Sequence, residues 1–334
     1  MFSTELVNLF TWYQLGPPNL RGAGSTFSLL TMPKRPQVVD DPRAPWGLIS
    51  IGVAAALWSV AAVAARGIFD RGLDPLEVAA ARSFIAAACL ALIPSARRKA
   101  PDGSPWAVIA LGLSIAIVNA VYYSAIARLD VAVALVIQYT APALVVGWVA
   151  LQKKKPPTGE IALALLVTFA GVVLVSGIFG ADVGAVSLSG IGFGLASSVF
   201  FATYTLLSER AGQAYGVFGA LLRGFCAAAV MWTVFLAFRG WPNALFESVN
   251  IGPVLFVGVA GTFLPFIFFL WGVQQVRAER GAIAATSEPI LAAGIAWVWL
   301  GQTLTPIQII GGILVIAGVI SLQIRRKSVV AIEV

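Results

Sequence analysis

From Trp46 to Ile324 the chain is a succession of long apolar runs separated by short breaks holding Asp, Lys, Arg, Gly or Pro. A run of about 20 apolar residues matches the thickness of a bilayer's hydrocarbon core, where backbone groups find no water and must bond among themselves. We read ten such spans: Trp46 to Phe69, Pro75 to Ile93, Trp106 to Ala127, Val131 to Leu151, Ile161 to Phe179, Ile191 to Leu207, Val217 to Phe238, Ile251 to Val273, Gly281 to Leu300 and Ile307 to Ile324. The short alternating segments of a membrane β-barrel are not the pattern here. The expected fold class is an all-α integral membrane protein with ten transmembrane helices. Composition agrees, with mean hydropathy +0.90 and only 11% charged residues, against roughly 25% in soluble domains.

This plan restricts the chemistry. Ten spans leave short loops and no room for a soluble catalytic domain. The chain has no histidine, which removes imidazole metal sites, Ser-His nucleophiles and histidine proton relays. Cys89 and Cys226 each stand alone in an apolar run, so neither a disulfide framework nor a cysteine metal site is expected. No P-loop is present to drive transport with ATP. We therefore expect no cofactor, no metal and no enzyme. Residues 1–45 contain Pro17-Pro18, Gly22, Gly24, Lys34, Arg35, Asp40 and Asp41, and are expected to form an unfolded cytoplasmic tail. Met32 supplies a second candidate start. Residues 327–334 read as a cytoplasmic C-terminal tail.

The net charge of +7 is a matter of placement. With a cytoplasmic N-terminus, the inner segments hold Arg21, Lys34, Arg35, Arg43, Arg97 to Lys99, Lys153 to Lys155, Arg210, Arg277, Arg280 and Arg325 to Lys327. The outer side receives Arg66, Arg71, Arg128 and Arg239. This bias predicts both termini in the cytoplasm, and makes the basic runs topology signals rather than nucleic-acid sites. Trp46, Trp106, Trp241 and Trp299 fall near span ends, as interfacial anchors do.

The chain also repeats itself. Ala81-Arg82-Ser83-Phe84-Ile85-Ala86-Ala87-Ala88 matches Leu222-Arg223-Gly224-Phe225-Cys226-Ala227-Ala228-Ala229. Further on, Tyr122 pairs with Phe269, Pro142 with Pro289, and Ala170-Gly171-Val172-Val173 with Ala317-Gly318-Val319-Ile320 at one constant spacing. Two halves follow, 46–180 and 187–326, of five spans each. Because five is odd, the second half enters the membrane from the opposite side, as inverted repeats do in secondary transporters.

Several motifs carry a family resemblance. Leu57-Trp58-Ser59, Tyr122-Tyr123-Ser124-Ala125-Ile126, Glu288-Pro289, and Leu300-Gly301-Gln302 running to Gly311, Gly312 and Ala317-Gly318-Val319 resemble the EamA branch of the drug/metabolite transporter superfamily. The resemblance covers Trp46 to Arg326. It implies a bacterial inner-membrane exporter of amino acids, metabolites or drugs, with a cavity between two five-helix bundles. The spacing of Trp58-Ser59 and Arg66-Gly67 is similar to that in the family's aromatic amino-acid exporters. Where the family carries glutamates at two membrane edges, this chain has Gln302 and Lys155, which removes two acids from the coupling candidates.

Within the spans, Glu288 is the one carboxylate deep inside. It is either a proton-coupling or substrate-amine site, or a structural acceptor beside Pro289. Arg82 and Arg223 occupy equivalent positions, suited to a substrate carboxylate, to pairing with Glu288, or to snorkelling. Pro142 and Pro289 free the carbonyls of Gln138 and Ala285, and Pro265 that of Gly261. Such freed backbone is tolerated beside protein or a wet cavity, which marks these prolines as kink or gating positions. Trp58, Ser59, Asn119, Tyr122, Gln138, Tyr139, Tyr204 and Trp271, with Ser197 and Phe201, are the candidate substrate wall. Gly190, Gly194, Gly311, Gly312 and Gly318 allow close helix packing, within the fold or in a dimer through helices five and ten.

The expected function is a secondary transporter exporting a small organic solute by alternating access, with or without proton coupling. An uncoupled facilitator is the first alternative, and a membrane-embedded enzyme or subunit the second. Expected partners are the solute, the lipid bilayer and protons. The assembly is a monomer or a homodimer.

Overall fold

The computed structural model describes residues 44–97, 105–141, 143, 159–175, 187–276 and 284–331. Most of the N-terminal tail, Pro142 and Lys153 to Lys155 lie outside the described residues. Every regular element among them is helical: α1 Ala44–Phe69, α2 Pro75–Ala91, α3 Pro105–Ile126, α4 Val131–Gln138, α5 Gly159–Val175, α6 Leu188–Arg239, α7 Ser248–Gly258, α8 Leu264–Gln275, α9 Ser287–Leu300 and α10 Pro306–Ala331. Among the described residues, four segments are long and apolar enough to cross a membrane, Pro45–Phe69, Pro105–Ile126, Ala214–Arg239 and Ser248–Gly272, and shorter apolar helices accompany them.

Two helix ends differ from the sequence reading. The polar stretch 208–215 continues α6, and the chain breaks only at Gly216, whose φ of 70° needs a residue without a Cβ. α10 runs past Lys327 to Ala331, where a tail was expected, because no Gly or Pro after Gly318 stops it. Starts follow their caps. Asp74 accepts from the backbone N–H groups of Leu76 and Glu77 at α2 and also holds Arg239 at 2.6 Å, and Ser187 accepts from Gly190 at α6.

Breaks also occur inside predicted spans. α4 stops at Gln138 and turns through Tyr139 and Thr140, while α9 starts after a turn at Thr286. In the repeat register Tyr139 corresponds to Thr286. The hydroxyls that follow close both turns alike: Thr140 donates to the Ile137 carbonyl and Ser287 to the Ala284 carbonyl, each at 2.7 Å. Pro289 thereby falls in the first turn of α9, where a missing N–H costs no helical bond.

The two halves interlock. α1 packs on α8 and α9, α3 on α6, α2 on both α6 and α7, and α5 on α10. The α5–α10 seam shows the repeat in its atoms. A Cβ on Gly171 would sit 2.7 Å from the Gly311 carbonyl oxygen and 2.8 Å from the Val315 nitrogen, and one on Gly318 would meet the Ala164 oxygen and Thr168 nitrogen at 3.0 and 3.2 Å. Those are the same pairs with the halves exchanged. Gly190 and Gly194 likewise abut Leu129 and Ile137, so these small residues serve packing within the chain. Trp46, Trp106, Trp241 and Trp299 stand exposed at helix ends, and Leu166, Phe238, Val298 and Ile313 face outward, as lipid-facing side chains do.

Candidate substrate site between the broken helices

The two breaks meet around Glu288. Its side chain is 6% exposed and one carboxylate oxygen accepts the Tyr139 hydroxyl at 2.7 Å, which joins the α4 break to the first turn of α9. The first turn of a helix also presents unbonded N–H groups, a setting that favours an anion. From α1, Ser59 adds a bond of 3.0 Å to the Glu288 backbone carbonyl. At the first-half break the hydroxyls of Ser198 and Thr140 lie 3.1 Å apart, which ties α6 to the turn after α4. Ala141 occupies the position that corresponds to Glu288, so the acid stands on one side only.

An aromatic wall leads away from this pair. Tyr139 lies 5.9 Å from Phe201, Phe201 6.1 Å from Tyr204, and Tyr204 5.4 Å from Phe266. Trp58 then packs on Phe266 and Phe269, at 5.4 and 5.2 Å. Offset and edge-on rings at these separations bury area and fix one another's orientation. On α3, Asn119 is 4% exposed, and among the described residues its Nδ2 has no hydrogen-bond partner; the Tyr122 hydroxyl, also buried, has none there either. Unfilled donors at such depth cost free energy unless something accepts from them.

The structure thus brings Trp58, Ser59, Tyr139, Tyr204 and Glu288 into one connected set, with Asn119 and Tyr122 on the neighbouring α3. Gln138 is buried at the end of α4, and Ser197 bonds back to the Gly194 carbonyl at 2.8 Å. Trp271 does not belong. It is 39% exposed, on the outer face of α8 beside Phe268 and more than half a turn from Phe269.

Arg82 and Arg223 take different routes despite their equivalence. Arg82, 3% exposed on α2, bonds across to Thr262 and Gly261 and stacks on the Tyr123 ring. Among the described residues, no ion pair joins it to Glu288 within 4 Å. Arg223 reaches instead to the Ala96 carbonyl in a short 3-10 turn and lies over Tyr215, as a cation near a helix end does.

Phe266 and Phe269 escaped the sequence reading, although the repeat pointed to them. The spacing that pairs Tyr122 with Phe269 pairs Asn119 with Phe266, so both halves furnish the same two wall positions.

At the other end of α9, Gln302 docks the loop by accepting the Val131 backbone N–H at 3.1 Å. Close by, Arg66 donates to the Ile126 and Leu129 carbonyls, 2.8 Å each. Gln302→Leu strands the Val131 donor and is expected to cost about 1 kcal/mol, while Gln302→Glu keeps an acceptor and stays near neutral. Thermal midpoints in detergent distinguish the two, and equal midpoints would refute the docking role.

Known proteins set this geometry in context. The model of the EamA-like transporter family matches residues 45–177 and 188–323, once in each half. The chain belongs to the EamA-like transporter family. An uncharacterized transporter of Archaeoglobus fulgidus is 28% identical over 82% of this chain and 95% of its own length. The threonine/homoserine exporter RhtA of Escherichia coli K12 is 26% identical over 65% of this chain and 71% of its own. The uncharacterized inner membrane transporter YicL of Salmonella typhimurium is 26% identical over 61% and 68%. A solved crystal structure, 18% identical, covers 85% of this EamA chain and 99% of its own, with a TM-score of 0.56. That likeness extends to the fold alone.

Proposed function

We propose that this EamA-family chain exports a small polar organic solute, of amino-acid size, across a bacterial inner membrane by alternating access. The observation that carries this reading is the buried Tyr139–Glu288 bond across two facing helix breaks, with the Asn119 and Tyr122 donors, unfilled among the described residues, on the neighbouring α3. Glu288 offers an acceptor to a substrate amine, and Asn119 and Tyr122 offer donors to a carboxylate or carbonyl. Trp58, Phe266 and Phe269 take the apolar part. Discontinuous helices meeting at such a site are how transporters present backbone and half-helix ends to substrate. RhtA, named for threonine and homoserine export, makes these amino acids the first solutes to test.

Alternating access rests on ten helices arranged as two inverted halves, 46–180 and 187–326. Its support is the exchange-symmetric packing of Gly171 on Gly311 and Gly318 on Ala164. The start of α1 also abuts Gly272 and Gln275, whereas the start of α6 abuts Leu129 in a loop at the opposite end. The charge bias puts both termini in the cytoplasm. Glu288 carries the coupling proton, exchanging it for substrate.

The test is uptake of radiolabelled threonine, homoserine and a panel of other amino acids into proteoliposomes, with and without an imposed pH gradient. Saturable transport that rises with the gradient is the expected outcome. Saturable transport indifferent to gradient and uncoupler would replace the exporter with a facilitator, and no movement of any solute would sink the reading.

A further inference from the structure

Pro265 has no N–H to give to the carbonyl four residues back, which is that of Gly261. The chain around it winds as a π-helical turn over Val259–Phe263, in which the Leu264 N–H reaches the Val259 carbonyl. Such turns leave groups that an α-helix would pair, and they recur at functional sites.

Here the unpaired groups have a donor from another helix. Arg82 on α2 sends one guanidinium nitrogen to the Gly261 carbonyl at 2.8 Å and its Nε to Thr262 Oγ1 at 2.6 Å. Thr262 in turn donates to the Val257 carbonyl at 3.0 Å. The guanidinium lies 4.6 Å over the centre of the Tyr123 ring, which fixes its plane from the other side. A planar fork can serve a carbonyl and a hydroxyl together, and an ammonium does so with less direction. The side chains that Pro265 and this turn orient are Phe266 and Phe269, which form the wall against Trp58.

We propose that Arg82 is a positioning residue for transport: its guanidinium stands in for the helical donor missing at Pro265, holds the π-helical turn, and through it sets the aromatic wall. The transport part of this assignment rests on the function proposed above. The structural part does not, and the experiment separates them.

The proteins compared are the full chain and its R82Q, R82K, P265A and R82Q/P265A variants. Each is measured for its thermal midpoint in detergent and for the KM and Vmax of radiolabelled threonine uptake into proteoliposomes. The P265A substitution restores an N–H to the Gly261 carbonyl, so the effect of R82Q should depend on whether the proline is present. R82Q is expected to lower the midpoint by roughly 5 °C with Pro265 in place and by less than about half as much in the P265A background. R82K recovers part of the loss. R82Q also raises KM about fivefold, and R82Q/P265A returns KM to that of P265A. Equal losses of midpoint in both backgrounds, or an unchanged R82Q protein, overturn the proposal. If R82Q does not accumulate, its recovery in the P265A background supports the pairing, and failure in both backgrounds refutes it. If threonine is not moved even by the unsubstituted chain, the function proposed above loses its first substrate while the midpoints still decide the role of Arg82.

Discussion

Glu288→Gln is expected to abolish the response of transport to a pH gradient, with at least a tenfold loss of gradient-driven flux, while exchange of labelled for unlabelled solute continues. Glutamine keeps the size of the side chain and an acceptor for the Tyr139 hydroxyl, so the 2.7 Å contact can persist. What it loses is the proton. Under the proposed alternating access, exchange needs the two halves to rock with substrate bound but no net proton movement, so the two assays should part company in this variant alone. Tyr139→Phe provides the comparison. It removes the hydrogen bond but retains the acid, so gradient dependence should survive with reduced rate. A Glu288→Gln protein that still follows the gradient would place coupling elsewhere and leave Glu288 as an acceptor beside the helix break.

The largest stability effect is expected at the α5–α10 seam. A Cβ on Gly311 would lie 2.5 Å from the Val175 nitrogen and 2.8 Å from the Gly171 oxygen. These neighbours are backbone, with no flexible end to move aside. Gly311→Val should therefore push the helices apart and cost about 3 kcal/mol, the upper part of the range for overpacked cores. Gly294→Ala is the control, since a Cβ there meets nothing within 4 Å, and replacing a mid-helix glycine in open space is expected to stabilise slightly. Thermal midpoints and size-exclusion profiles read both. A tolerated Gly311→Val would mean that this seam opens without penalty.

The repeat was the most informative part of the sequence because it survives as geometry. The spacing that joins Gly171 to Gly318 reappears as equivalent contacts, and the one that joins Pro142 to Pro289 reappears as turns at Tyr139 and Thr286 closed by matching hydroxyl bonds. Glu288 stood out by elimination, as the acid farthest inside a span. Which face of each helix looks inward was much harder to read. In a soluble helix polar residues mark the outside, but here lipid tails are as apolar as the interior, and the pattern loses its contrast. Trp271 shows the difficulty: it differs from Phe269 by two positions and no polarity, and it points outward at 39% exposure. The partner of Arg82 was hidden for another reason. The unbonded Gly261 carbonyl could be read from Pro265, but the donor that fills it comes from a helix remote in sequence, and no local rule connects them.

The interlocking of the halves bears on how the molecule is made. Gly47 at the start of α1 is packed against Gly272, and Ser59 is tied to Glu288, so the earliest of the described helices to be synthesised has partners among the last. At about 5–20 residues per second the interval between synthesis of Gly47 and Gly272 is roughly ten to forty-five seconds. Throughout that time α1 must reside in the bilayer, or beside the insertion machinery, with its final neighbours not yet translated. Insertion and assembly are consequently separate events for this chain, and the small, weakly polar inner face of α1 is compatible with the wait.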